Sequence, residues 1–248
     1  MTTYNAPEGR YEKEPLGEKA KVIAIPYGLT FLYLALGLGI VAAVGFGYPM
    51  ILEAAGADLY TGSMIGMVIG YIGLLVFSVI IGWKAFSKRS LLVDICFFLD
   101  AVCWGFALSS TIVVAASYTD PTEAARIVGV AFGITAGVMA LMGLFGILFK
   151  NAWKVYYMIP FLLLGILALT MINLFIFNEV IYWITEFVFF GVIMLETMAD
   201  INQLKRLGQG GFINGTNNLA IYCAYTLMSD FVMLLIRLIP ILLMSDRK

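Results

Sequence analysis

Seven long apolar runs dominate the chain, at about 22–46, 62–83, 91–116, 127–149, 155–177, 181–200 and 218–244. Short polar connections join them; the fifth and sixth are separated only by Asn178-Glu179, which predicts a tight helical hairpin. An α-helix rises about 1.5 Å per residue, so roughly 20 apolar residues cross the ~30 Å hydrocarbon core of a bilayer. In that medium no water satisfies backbone N–H and C=O groups, which leaves helices or closed barrels as the spanning structures. Runs of this length without strand alternation predict an all-α polytopic membrane protein with seven transmembrane helices. Composition agrees: 62% of the residues are hydrophobic and 12% charged, whereas a soluble domain carries roughly 25% charged residues.

The predicted organisation is a polar tail over 1–21, one membrane domain over 22–244 and a short tail over 245–248. The first 21 residues include Glu8, Arg10, Glu12, Lys13 and Glu14, and the first apolar run is long enough to span, so no removable signal peptide is expected. Orientation follows from bases in short loops. Eleven (Arg10, Lys13, Lys19, Lys21, Lys84, Lys88, Arg89, Lys150, Lys154, Lys205 and Arg206) fall on one side. Opposite them stand Arg126, Arg247 and Lys248, with Glu53 and Asp58 assigned to the first loop on that side. The expected placement is a multi-pass protein of the cell membrane, amino terminus cytoplasmic and carboxyl terminus outside. The sequon Asn214-Gly215-Thr216 then falls in the cytoplasm, where its match is accidental.

Several chemistries are excluded by residue type. The chain has no histidine, which removes His-based metal sites, Ser-His and Cys-His nucleophiles and the usual physiological-pH switch. Cys96, Cys103 and Cys223 lie in apolar runs, an odd number that reads as small core residues. A formal net charge of −1 offers no basic surface to nucleic acid. No cofactor is expected beyond a bound cation, and the partners expected are the lipid bilayer with that cation or H⁺.

What remains is carboxylate chemistry. Asp94, Asp100, Glu186, Glu196, Asp200 and Asp230 fall within or at the ends of the apolar runs, with Arg237 as their intramembrane base. A carboxylate at membrane depth costs about 2.5–3.5 kcal/mol on insertion scales, so such residues mark ion or proton pathways by default. Glu196 and Asp200 share a helix face; Asp230 and Arg237, seven apart, return to within about 20° of one face. Asp200 and Asp230 flank a polar connection, Asn202 to Gly211, and the midpoint between the two aspartates is Gly215 of the turn dipeptide Asn214-Gly215. That places them at one depth. If the sixth helix instead stops at Gly208 and the seventh starts near Asn217, Asp230 lies roughly 9 Å deeper. The interfacial reading is expected for Asp94 and Glu186, and Asp100 is divided between an interhelical hydrogen bond and a pathway role.

The carboxyl-terminal third resembles the Bax inhibitor-1 (transmembrane Bax inhibitor motif) family. The resemblance is carried by Ala199-Asp200-Ile201-Asn202-Gln203, by Tyr225-Thr226-Leu227-Met228-Ser229-Asp230-Phe231-Val232 and by the following Arg237. It implies six helices around a central seventh, and a di-aspartyl pair, here Asp200 and Asp230, that senses pH in a calcium leak. On this resemblance the chain reads as a divergent, bacterial-type member. Ala199 stands where the family has Tyr, the connection between the aspartates is longer, and the second span, Ser63 to Trp83, lacks the Arg that latches a carboxylate in bacterial relatives. Arg237 is the expected substitute latch. Glu196 joins Asp200 and Asp230 as a possible Ca²⁺ ligand, with Asp100 and Glu186 as possible pathway residues.

The function expected is a pH-sensitive cation leak, with Ca²⁺ as the ion, and not an enzyme. Intramembrane aspartyl proteases also place one Asp on each of two late helices, but they need Tyr-Asp and Gly-x-Gly-Asp elements that this chain lacks. A microbial rhodopsin needs a lysine in its seventh span, and none lies between Asn217 and Leu243. Two alternatives stay open: a proton-coupled transporter using the same carboxylates, and an interaction protein modulating a membrane protease or a stress or cell-death response.

Overall fold

A computed structural model describes residues 27–85, 90–209 and 216–245. Seven α-helices follow one another: α1 (Tyr27–Ala54), α2 (Leu59–Lys84), α3 (Leu91–Tyr118), α4 (Pro121–Leu148), α5 (Ile159–Ile176), α6 (Glu179–Gln209) and α7 (Thr216–Ser245). A 3-10 turn, Ala152–Tyr157, lies between α4 and α5. All seven helices are long and apolar enough to cross a membrane. Their outward faces carry residues such as Leu75, Phe161 and Phe175, each more than 70% exposed. Such a surface belongs in lipid. The molecule is a multi-pass membrane protein.

Several expected boundaries move. α1 runs to Ala54, past Pro49, so Glu53 sits in its last turn and not in a loop. Proline removes one helical hydrogen bond, yet a lipid-facing segment has no better place for its remaining polar groups. α4 begins at Pro121, where the missing N–H falls among donors already without partners. The largest change is in α6. It continues to Gln209, so most of the expected polar connection is helical. Leu204, Lys205 and Arg206 are good helix formers, and Arg206 stacks on the Trp153 ring at 4.4 Å. The turn centre at Asn214-Gly215 and the tail over 1–21 lie outside the described residues.

Local chemistry sets the turns. Asp58 caps α2 by accepting the Thr61 N–H at 2.8 Å; the Thr61 hydroxyl first, and then this N–H, hold its carboxyl below the ordinary range. Asn178 caps α6 by accepting the Val180 N–H at 2.8 Å, while its own N–H donates to Asn173 Oδ1 at 2.8 Å. Phe177 closes α5 in the left-handed region, with φ 52°.

α7 is the central helix. It packs on α1, α3, α4 and α6, with a lighter contact to α2, while α5 reaches the bundle chiefly through α6 and the 3-10 turn. Phe97, Ile221, Met228, Val232 and Ile239 fill the core around it, all buried. Small residues permit the closest approaches. A methyl group on Gly146 would lie 2.5 Å from the Met198 carbonyl oxygen, so α4 and α6 meet backbone to backbone there. Two asparagines tie the helices together at one end of the bundle. Asn202 of α6 donates to the carbonyls of Gly146 (2.8 Å) and Phe149 (2.7 Å) and accepts from the Trp153 N–H. Asn218 of α7 accepts from the Ser90 N–H and donates to the Lys84 carbonyl, both at 3.2 Å. A buried amide that meets several partners costs little to desolvate and fixes register.

Candidate functional site

The 3.6-residue repeat turns Glu196, Asp200 and Gln203 of α6 toward α7. In answer α7 presents Tyr222, Tyr225, Thr226, Ser229, Asp230 and Met233, and Tyr156 of the 3-10 turn completes the wall. Together these residues line a cavity of about 370 Å³ within the helical bundle, room for on the order of ten waters. Its walls are largely oxygen-bearing: three carboxylates, three phenols, two hydroxyls and an amide.

The two aspartates therefore share one cavity although their depths differ. With α6 ending at Gln209 and α7 beginning at Thr216, Asp230 is about five residues further from its helix end than Asp200, roughly 7–8 Å of rise. The cavity spans that offset. Asp200 accepts a hydrogen bond from the Tyr156 hydroxyl. Burial, followed by the adjacent Asp200 charge, raises the pKa of that phenol, so it stays a donor across the physiological range. Asp230 is 2% exposed, and its Oδ2 has no hydrogen-bond partner among the described residues. A buried carboxylate oxygen left without a donor costs on the order of 1–3 kcal/mol or more, so this position demands a proton, a cation or water. Among the described residues no group of three or more His, Cys, Asp or Glu side chains has the close spacing of a metal centre. Glu196, Asp200 and Asp230 wall a space instead of converging on a point.

Arg237 lies elsewhere. Its Nη1 donates to Glu186 Oε1 at 2.6 Å, and its guanidinium stacks on the Phe189 ring at 4.5 Å. The expected latch on the aspartates is replaced by a pair with Glu186 across a second cavity of about 330 Å³, between α5, α6 and α7. The reason is length along the helix: seven residues lift Arg237 about 10.5 Å above Asp230, level with the first turns of α6. Glu186 is correspondingly a buried ion-pair partner, with its side chain 9% exposed against 40% for Arg237, and does not sit at an open interface.

The two α3 acids take separate places. Asp94 accepts from the Tyr33 hydroxyl of α1. Asp100 is fully buried, and neither carboxylate oxygen has a hydrogen-bond partner among the described residues. It lies outside the cavity wall, one turn from Trp104, whose indole N–H donates to Ser229 Oγ at 3.2 Å. Ser229 lines the cavity, so Asp100 stands on the far side of that wall.

Sequence reasoning did not single out Tyr156, Trp104, Ser229 or Asn202. Tyr156 lies 44 residues from Asp200 in a 3-10 turn, and no periodic signal marks it. Asn202 carried a usable clue, a polar side chain two residues after Asp200 beside an apolar helix.

A search of the curated proteins finds no match. A family model described as "Inhibitor of apoptosis-promoting Bax1" matches residues 27–247, a span that takes in all seven helices and every residue of both cavities. With the central α7 and the acids that α6 and α7 bring to one cavity, this match places the chain in the Bax inhibitor-1 family.

Proposed function

We propose that the protein is a cation leak, with Ca²⁺ as the ion carried, regulated by protonation of Asp200 and Asp230 as one unit. What carries the reading is the shared cavity: Glu196, Asp200 and Asp230 face one space of about 370 Å³ beside the central helix of an otherwise apolar bundle. Neighbouring carboxylates cannot both ionise cheaply, so their titrations are coupled. When charged, they offer hard oxygen ligands suited to Ca²⁺, completed by the Tyr and Thr oxygens of the wall and by water. When protonated, they lose their attraction for the ion. No covalent step is required, and no residue is assigned an enzymatic role. The excess of bases on one side supports a cell-membrane placement with the amino terminus in the cytoplasm, which sets Gln203 on the cytoplasmic side of Asp200.

The test is Ca²⁺ flux in liposomes holding only this protein, measured across pH. Asp200→Asn and Asp230→Asn keep size while removing charge. Either should abolish the pH dependence, with the double variant little worse than a single one, because groups acting as a unit are non-additive. Additive effects would refute the coupled pair. Flux that is absent, or unchanged in all three variants, would favour the interaction-protein alternative. Flux of protons coupled to another solute would favour the transporter.

A further inference from the structure

We infer that the cavity around Glu186 is a second cation site, at which Arg237 serves as a tethered, displaceable stand-in for a hard metal cation. The observation is an asymmetry within the ion pair. Glu186, the acid, is held inside with its side chain 9% exposed, whereas Arg237, the base, is 40% exposed. A long basic side chain at that exposure can swing toward water or headgroups; a buried glutamate cannot follow it. Once the guanidinium leaves, the carboxylate must take up a proton or another cation, because an unpaired buried charge is strongly unfavourable.

The rest of the cavity is arranged for a cation. Thr170, Tyr182 and Thr185 line it beside Glu186. The Thr170 hydroxyl donates to the Ile166 carbonyl at 2.9 Å, and the Thr185 hydroxyl to the Ile181 carbonyl at 2.8 Å. With their protons committed to the helix backbone, both oxygens have only lone pairs left for the cavity. A cation would meet one charged oxygen, from Glu186, and the two neutral threonine oxygens. One carboxylate with neutral oxygens makes a weak site, as suits an ion that must also leave.

The helix faces relate this site to the first. On α7, Asp230, Met233 and Arg237 follow one stripe, and on α6 the stripe runs through Glu186, Phe189 and Ile193 to Glu196. Both cavities are lined by α6 and α7, with Met233 in the wall of the first and Arg237, one turn on, in the wall of the second. The ion's use of both cavities rests on the cation-leak reading; the existence of the second site does not.

The experiment measures Tb³⁺ luminescence, with Tb³⁺ standing in for Ca²⁺ and excited through Tyr182 and Trp183, on the full chain in detergent. It uses the Asp200→Asn/Asp230→Asn background, so failure of the first site leaves this readout intact. Adding Arg237→Gln should lower the half-saturating Tb³⁺ concentration at least tenfold, and excess Ca²⁺ should quench the emission. Further adding Glu186→Gln should remove the gain. No tightening with Arg237→Gln, or a gain that survives Glu186→Gln, would overturn the assignment. If Arg237→Gln does not yield folded protein, Glu186→Gln alone decides. Sensitised emission should then be lost, and emission equal to that of the background would overturn the site.

Discussion

Replacing Tyr156 with Phe removes one hydroxyl and leaves the ring that packs in the 3-10 turn. That hydroxyl donates to Asp200 Oδ1 from a half-buried position, and burial keeps it protonated. A hydrogen bond to a charged acceptor contributes about 1.5–3 kcal/mol. At 1.36 kcal/mol per pH unit, that is a shift of roughly 1–2 units. The sign follows from which form the donor favours. The phenol stabilises the ionised carboxylate, so its loss makes protonation easier and leaves the proton bound to a higher pH. Under the proposed mechanism, the pH of half-maximal Ca²⁺ flux in liposomes should therefore rise by about 1–2 units, with flux at the two pH extremes little changed. A midpoint that stays put, or falls, would mean that the Tyr156 bond does not act on the titrating group. A uniform loss of flux at every pH would instead make Tyr156 part of the wall's packing and not of its proton chemistry.

Two further outcomes follow from the fold. Gly146→Ala should lower the thermal unfolding midpoint by several degrees, because the new methyl would meet the Met198 backbone oxygen and such overpacking costs about 1–3 kcal/mol. A thiol-reactive dye can follow the unfolding through buried Cys96, Cys103 and Cys223, and an unchanged midpoint would refute the close α4–α6 approach. Single cysteines placed in the 150–154 connection, in a background free of the native three, should resist an impermeant reagent applied to intact cells; ready labelling would overturn the proposed orientation.

The seven spans were legible because each is a sum over some twenty residues of transfer free energy, a quantity that depends on composition and not on partners. Asp200 and Asp230 stood out for the same reason: a carboxylate in an apolar run is costly wherever the helix ends up. The end of α6 was not decided by the sequence, which left a stop near Asp200 and a stop at Gly208 both open; the helix runs to Gln209. The polar letters after Asp200 read as a connection, yet Asn202 is satisfied by the Gly146 and Phe149 carbonyls of α4 and its connection. Nor were the partners of the charged groups. Arg237 had several acids to choose from, and its reach along α7 took it to Glu186, 51 residues away, and left Asp230 to the cavity. Hydropathy and helical period act within one segment and can be read from it. The pairing of Arg237 with Glu186, and of Tyr156 with Asp200, depends on how far each helix is rotated and shifted against its neighbours, and that is set only when all the faces pack at once.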